Sequence, residues 1–191
     1  IGRVTMNIAV AQSGGPTSAI NASLLGVIKA ALNSKEIETV FGSFYGIEGI
    51  INNNFVDLNE IFESEYNRKL LKQTPSTYLG SCRYKLPDFE KQPQVYEVIA
   101  NRFKEKNIGA FFYIGGNDSM DTANKLSKYF KEIGSDIKVI GVPKTIDNDL
   151  NCTDHTPGFG SAAKYLTVCL QEITRDASVY DMKSVVIVET M

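Results

Sequence analysis

Short apolar runs alternate with amphipathic stretches along most of the chain. Runs typical of buried strands lie at residues 6–11, 39–42, 110–114, 137–140 and 184–188. Stretches with helical spacing end near residues 32, 106, 130 and 175. In the clearest of them, Val95, Ile99 and Phe103 share one face. Because strands alternate with helices, we expect an α/β, Rossmann-like domain of three layers (αβα) with a mostly parallel sheet.

The composition excludes several classes of protein. The chain has 191 residues, of which 43% are hydrophobic and 22% charged, and its net charge is −2. This charge, without a basic cluster, argues against a nucleic-acid partner. The apolar runs are far shorter than the roughly 20 residues of a membrane helix, and the N-terminus has no signal-peptide pattern. Three cysteines without C-x-x-C spacing suit a reducing compartment, so we expect a cytoplasmic protein without a membrane partner.

Two glycine pairs follow predicted strands and open predicted helices. Gly14 and Gly15 follow the first strand, and Gly115 and Gly116 follow the strand at 110–114. Backbone N–H groups at a helix N-terminus bind anions, and glycine lets the backbone approach a ligand closely. Neither turn has the Walker or the G-x-G-x-x-G pattern. A plain tight turn between strand and helix is the alternative interpretation of each pair.

The stretch at 141–149, with the sequence GVPKTIDND, concentrates the reactive side chains. Lys144, Thr145, Asp147 and Asp149 leave the strand that precedes them together. Phosphoryl transfer to an alcohol needs a carboxylate that accepts the hydroxyl proton, and cations that stabilise charge on the phosphoryl oxygens. An Asp/Asn turn before a helix is the structural alternative. Because parallel strands end at one edge of a sheet, we expect this stretch and both glycine turns to meet there.

Six segments resemble successive motifs of the 6-phosphofructokinases, in family order. They are Gly14-Gly15 with Asn21, 80–83 (GSCR), 115–119 (GGNDS), 143–149 (PKTIDND), 156–159 (TPGF) and 188–191 (VETM). The T-I-D-N-D loop after a strand is highly specific, and the chain is most similar to the pyrophosphate-dependent branch. The resemblance implies transfer of a phosphoryl group from pyrophosphate to the 1-hydroxyl of fructose 6-phosphate, with Mg²⁺ as cofactor. The product, fructose 1,6-bisphosphate, belongs to glycolysis.

The resemblance also implies roles for individual residues. Asp147 is expected to be the catalytic base, and Arg83 to stabilise the transferred phosphoryl group. Lys144, the third expected catalytic residue, would hold pyrophosphate. The expected donor-binding residues are Gly14, Gly15, Gly116, Asp118 and Ser119. The expected sugar-binding residues are Thr145, Asp147, Asp149, Glu189 and Met191. The expected metal ligands are Asn117, Asp118 and Asp149.

The chain departs from the family pattern at two places. The usual aspartate after the second glycine pair is Asn117 here, and an amide is a weaker magnesium ligand than a carboxylate. An arginine that reaches the sugar phosphate in many members aligns with Ser184, next to Lys183. We therefore expect the metal site to depend on Asp118 or Asp149, and we expect no phosphate contact at 184.

The identity of the phosphate donor can be argued from two positions. ATP-using members typically have glycine where this chain has Asp118 and Lys144. A carboxylate at 118 would fill the place of the nucleotide's α-phosphate and repel it, while Lys144 supplies a cation for a small, highly charged donor. Three alternatives stay open: an ATP-dependent 6-phosphofructokinase, a non-catalytic regulatory subunit of the same fold, and a kinase with another acceptor.

The expected organisation follows the same resemblance. Residues 1–150 are predicted to form the donor-binding α/β domain, and 151–191 the start of the fructose 6-phosphate-binding part. The arginine and glycine of the family's M-G-R motif would follow Met191, so we expect an N-terminal fragment that is inactive alone. The full-length protein is expected to be a homo-oligomer, either a dimer or a tetramer.

Overall fold

The computed structural model describes residues 5–190 of the chain. It divides the chain into two compact units, Ile1–Lys144 and Thr145–Met191, and each unit is described here by itself. The predicted domain boundary at residue 150 concerns the full-length protein and stays a prediction.

The first unit is built on one five-stranded sheet. Its strands are β1 (Met6–Gln12), β2 (Ile37–Ser43), β3 (Phe55–Asp57), β4 (Ile108–Gly115) and β5 (Lys138–Pro143). Their order is β3-β2-β1-β4-β5. All neighbours are parallel except β2 and β3, which are antiparallel. The mostly parallel sheet is therefore confirmed, and the three-residue β3 is an addition that the apolar pattern does not reveal.

Six helices cover the faces of this sheet. They are α1 (Ile20–Leu32), α2 (Gly46–Ile51), α3 (Leu58–Ile61), α4 (Glu65–Gln73), α5 (Pro93–Glu105) and α6 (Asn117–Glu132). In α5, Pro93 occupies the first turn, where its missing N–H costs nothing. The face of α5 that is buried carries Tyr96, Ile99 and Phe103, whereas Val95 is only partly buried.

Alternation along the strands divides the core into two clusters, one on each face of the sheet. In β1, Ile8 and Val10 belong to the cluster with α1, α3 and α4, whereas Ala9 and Ala11 belong to the cluster with α2, α5 and α6. Successive side chains of a strand point to opposite faces, so each strand serves both clusters. Helices on both faces of the sheet confirm the three-layer α/β architecture.

The second unit contains one helix, α7 (Phe159–Ala177), among its described residues. No residue of α7 is buried. The prediction of a buried strand at 184–188 is wrong for this chain: those residues form no strand, and Val185 and Ile187 are 89% and 90% exposed. Their β-branched composition suits a buried strand, but a strand requires a neighbour for its backbone hydrogen bonds, and residues 145–190 supply none.

None of the helices between residues 5 and 190 is long and apolar enough to cross a membrane.

Candidate active site

Three parallel strands end side by side at the carboxyl edge of the sheet. Gly115, the last residue of β4, pairs with Pro143 of β5, and Ile114 pairs with Gln12 at the end of β1. The Lys144 backbone N–H donates to the Gly115 carbonyl at 2.8 Å. Both glycine turns and Lys144 therefore leave the sheet at one edge, as a parallel sheet predicts.

The Lys144 ammonium lies among the glycines of the two turns. Its Nζ donates to the Gly15 carbonyl at 2.5 Å. A Cβ built on Gly14 would lie 3.6 Å from this Nζ and 3.7 Å from the Gly116 backbone nitrogen. Gly14 also has φ +81°, which glycine adopts without strain. We call Gly14, Gly15, Gly116 and Lys144 the cradle; its small size and positive charge suit a compact anion.

Helix α6 begins directly at the cradle. Gly116 is its N-cap residue and provides no side chain, so the first N–H groups have no side-chain cap. Such a helix start carries roughly half a positive charge, which favours a bound anion. Asp118 lies exposed in this first turn, with the Lys85 ammonium 3.7 Å from its carboxylate. Lys85 is a cation that the sequence interpretation did not include among the site residues.

Ser119 differs from its neighbours in α6 because it is buried. Only 4% of its surface is exposed. A Cβ on Gly115 would overlap the Ser119 hydroxyl and would lie 2.9 Å from the Ser13 carbonyl. Ser119 thus packs into the junction between β4 and α6, and its donor-binding role stays a prediction.

The candidate metal ligands of the first unit are the side chains of Asn117 and Asp118. Both are exposed at the start of α6. Between residues 5 and 190 there is no group of three His, Cys, Asp or Glu residues that could hold a metal without help. Mg²⁺ is usually bound by one or two carboxylates together with substrate phosphates and waters, so these two oxygen donors fit such a shared site.

Arg83 lies on a segment that is hydrogen-bonded to the first glycine turn. The Ser13 hydroxyl donates to the Cys82 carbonyl at 3.0 Å, and the Ser81 hydroxyl donates to the Gly14 carbonyl at 2.6 Å. The Arg83 side chain is exposed and forms no hydrogen bond or ion pair with any residue that the structure describes. Its guanidinium is therefore available to a ligand.

Buried side chains pack beside this segment. The Cys82 sulfur lies 3.9 Å from the Tyr113 hydroxyl. Burial raises the pKa of the Tyr113 hydroxyl, which therefore stays neutral at physiological pH. A neutral tyrosine hydroxyl therefore packs beside the residue that precedes Arg83.

In the second unit, Thr145 organises the two acidic residues. Its hydroxyl accepts a hydrogen bond from the Asp147 backbone N–H at 3.0 Å and donates to the Asp149 carboxylate at 3.2 Å. Asp147 and Asp149 are both exposed. The arrangement holds the loop in a defined shape while the Asp147 carboxylate is left accessible, as a general base requires.

Asn148 closes the same loop and is a residue that the sequence interpretation missed. It has φ +56°, a conformation that asparagine tolerates better than most residues. Its amide donates to the Asp154 carbonyl at 3.2 Å and accepts from the Thr156 backbone N–H at 2.9 Å. Asparagine at a turn is the only signal in the sequence, and it is too common to identify such a brace.

The remaining predicted sugar-binding residues are at the end of the chain. Glu189 is exposed in the irregular segment after α7. Met191 lies outside the described residues. The structure thus brings the donor-side residues of the first unit together, and the proposed roles of Glu189 and Met191 stay predictions.

The phosphofructokinase family model matches residues 7–191. The chain belongs to the phosphofructokinase family. A pyrophosphate–fructose 6-phosphate 1-phosphotransferase from Rhodospirillum rubrum is 40% identical over 169 residues, covering 88% of this chain and 40% of the relative. An enzyme of the same name from Xanthomonas campestris is 44% identical over 172 residues, covering 90% and 40%.

Solved phosphofructokinase structures agree with this assignment. The crystal structure of a pyrophosphate-dependent phosphofructokinase from Nitrosospira multiformis superposes with a TM-score of 0.82 at 42% identity, covering 90% of this chain and 42% of the other. These relatives confirm the predicted resemblance to the pyrophosphate-dependent branch. The chain spans about 40% of the length of the curated relatives that it matches.

Proposed function

We propose that the full-length protein carrying this chain transfers a phosphoryl group from pyrophosphate to the 1-hydroxyl of fructose 6-phosphate. The observation that carries the proposal is the cradle, in which a lysine ammonium and two glycine turns meet at the start of a long helix. We place the reaction in the cytoplasm and expect a homo-oligomer, a dimer or tetramer, as the sequence predicts.

The donor end supports pyrophosphate because its recognition groups are charges and backbone N–H groups. The Lys144 ammonium, the start of α6 without a side-chain cap, and the Arg83 guanidinium, which has no partner among residues 5–190, all favour a small, highly charged anion. The exposed Asp118 carboxylate brings negative charge into the first turn of α6. By the family resemblance, a nucleotide would have to place its α-phosphate there, at the cost of charge repulsion.

The chemistry at the sugar end is assigned to the loop of the second unit. Asp147 would take the proton of the sugar 1-hydroxyl while that oxygen forms a bond to phosphorus and the bond to the leaving phosphate breaks. Thr145 and Asp149 would hold the loop and the sugar, and Lys144 with Arg83 would balance negative charge on the phosphoryl group. Mg²⁺, held by Asp118 with Asn117 and Asp149, would neutralise phosphate charge when bound.

A non-catalytic regulatory subunit is the candidate from another functional class. The Thr145 bonds to Asp147 and Asp149 count against it, because a subunit released from catalysis has no need for an exposed acid on a braced loop. The Asp147→Ser variant tests this alternative. We expect turnover of the full-length protein to fall by about 10²–10⁴-fold with unchanged thermal unfolding; an unaffected rate would favour the regulatory function.

The donor is tested by steady-state kinetics of the full-length protein with fructose 6-phosphate and either pyrophosphate or ATP. We expect kcat/KM for pyrophosphate to exceed that for ATP by about 100-fold, which corresponds to about 2.7 kcal/mol, because charge repulsion of about 1–4 kcal/mol and lost contacts both disfavour ATP. Activity with ATP alone would refute the donor assignment and leave the ATP-dependent enzyme.

A further inference from the structure

The Arg83 segment lies far along the chain from the first glycine turn, yet a buried amide pair joins the two. Gln12 ends β1 and Asn21 lies in the first turn of α1, and the side chains of both are fully buried. The Gln12 amide donates to the Asn21 side-chain oxygen at 3.0 Å. This hydrogen bond therefore joins the residues on either side of the first glycine turn.

The same two side chains also bind the backbone of residues 74–79. The Leu79 N–H donates to the Gln12 oxygen at 2.9 Å, and the Tyr78 N–H donates to the Asn21 oxygen at 2.9 Å. The Asn21 amide donates to the Thr74 carbonyl at 2.9 Å. Buried amides are costly to leave unpaired, so these bonds hold the stretch before Gly80 in one position.

Two serine hydroxyls make the remaining links: the buried Ser13 hydroxyl donates to the Cys82 carbonyl, and Ser81 makes the link nearer the surface. Its hydroxyl donates to the Gly14 carbonyl at 2.6 Å, two residues before Arg83. Ser81 is only half-buried, and Gly80 before it has φ +70°. Gly14 accepts this hydrogen bond, and Gly80 precedes its donor. Because glycine restrains the backbone little, loss of the Ser81 hydroxyl would leave both segments more flexible. Ser81 is therefore the contact that can be removed without opening the buried amide pair.

We propose that Ser81 is a positioning residue that holds the Arg83 backbone at a defined distance from the cradle. In this position Lys144 and Arg83 bind the same donor molecule. The inference rests on the proposed function, because that function gives Arg83 a phosphate to bind. The Arg83 side chain has no partner among residues 5–190, so only its backbone sets where the guanidinium can reach. Pre-organising the backbone lowers the entropy lost on binding.

A double-mutant cycle on the full-length protein tests this inference. Pyrophosphate binding in the presence of Mg²⁺ is measured by calorimetry for Ser81→Ala, Arg83→Ala and the double variant. We expect Ser81→Ala to weaken binding about tenfold when Arg83 is present and by less than about twofold when it is alanine, because coupled neighbours are not additive. Fructose 6-phosphate affinity should not change, and Ser81→Thr, which keeps the hydroxyl, should restore binding.

Ser64→Ala is the matched control. Ser64 caps α4 by accepting from the Asn67 N–H at 3.2 Å, so its loss should lower the melting temperature and leave pyrophosphate affinity unchanged. Equal weakening by Ser81→Ala in both Arg83 backgrounds, or no weakening in either, would overturn the inference. If the cycle shows the same coupling with ATP while pyrophosphate does not bind, the positioning role stands and the donor assignment falls.

Discussion

Among the residues of the site, Asp118 is the one expected to affect the choice between pyrophosphate and ATP most directly. Its carboxylate is exposed at the start of α6, next to Lys85. A second negative charge about 4 Å away would cost roughly 1–4 kcal/mol, depending on the local dielectric. We expect Asp118→Gly to raise kcat/KM for ATP by about tenfold or more and to lower that for pyrophosphate. Steady-state kinetics with both donors measures the change.

Asp121→Gly controls for the cost of placing glycine in the same helix. Asp121 lies one turn later and pairs with Lys125 at 2.9 Å. Both variants should lose about 0.3 kcal/mol of intrinsic helix propensity, but only the change at 118 should alter the donor ratio. Equal effects on ATP use would show that helix fraying, and not the Asp118 charge, is responsible.

Asn148 gives a second prediction at this scale, on the acceptor side. Asn148→Ala removes both hydrogen bonds that close the loop and places alanine at φ +56°, a left-handed conformation that asparagine tolerates better than alanine does. We expect kcat to fall by about 10–100-fold through displacement of Asp147. Asn148→Gly relieves the backbone strain alone and should fall between wild type and alanine. Equal activity of all three proteins would contradict a bracing role.

The sequence predicts which charged residues belong to the site. It does not predict which other residues hold those charged residues in position. Lys144, Arg83, Asp118 and Asp147 are charged types at motif positions, and their presence is visible in the printed letters. Ser81 works through a backbone carbonyl distant in sequence, and serine is common everywhere. Such contacts follow from tertiary packing, which no local pattern encodes.

Among the elements, the junction between β4 and α6 leaves no room for an added side chain. Gly115 ends the strand and has no space for a Cβ, because the Ser119 hydroxyl and the Ser13 carbonyl occupy it. We expect Gly115→Ala to lower the free energy of unfolding by about 1–3 kcal/mol, the usual cost of overpacking a close contact. Urea denaturation of the full chain measures this loss.

Gly26 in α1 supplies the matched alanine substitution. A Cβ there would meet nothing within 4 Å. Gly26→Ala should raise the free energy of unfolding by about 0.5–1 kcal/mol, because glycine inside a helix costs more conformational entropy than alanine. If the two substitutions changed stability in the same direction, the steric account of the junction would be wrong.

The elements that the sequence predicts best are those whose buried side chains pack against other elements of the first unit. Strands β1 and β4 are predicted because their apolar runs bury both faces between helices of the same unit. The strand predicted at 137–140 forms as β5, but it lies at the edge of the sheet and its residues are at most partly buried. The short elements between residues 46 and 61 lack a full period of pattern, and they could not be assigned. Residues 184–188 have the composition of a strand, but they pair with no strand between residues 5 and 190, and composition alone cannot report that.

At the scale of the whole molecule, hydrophobic burial is distributed very unevenly between the two units. Among the residues that the structure describes, every buried hydrophobic side chain belongs to the first unit, and the last of them is Phe130. In the second unit Tyr165, Val179 and Tyr180 are at least 70% exposed. Hydrophobic burial is the main favourable contribution to folding, so the first unit contains the stability of this chain.

This distribution predicts the behaviour of the two units when they are made separately. A protein ending at Lys144 keeps the complete sheet and both core clusters, and we expect it to unfold cooperatively in urea at nearly the same midpoint as the 191-residue chain. A peptide of residues 145–191 should show little helix by circular dichroism, because an isolated helix without a buried face is marginal in water. A midpoint several tenths of a molar lower after truncation would show that the second unit contributes to the core, because denaturant midpoints scale with the free energy of unfolding.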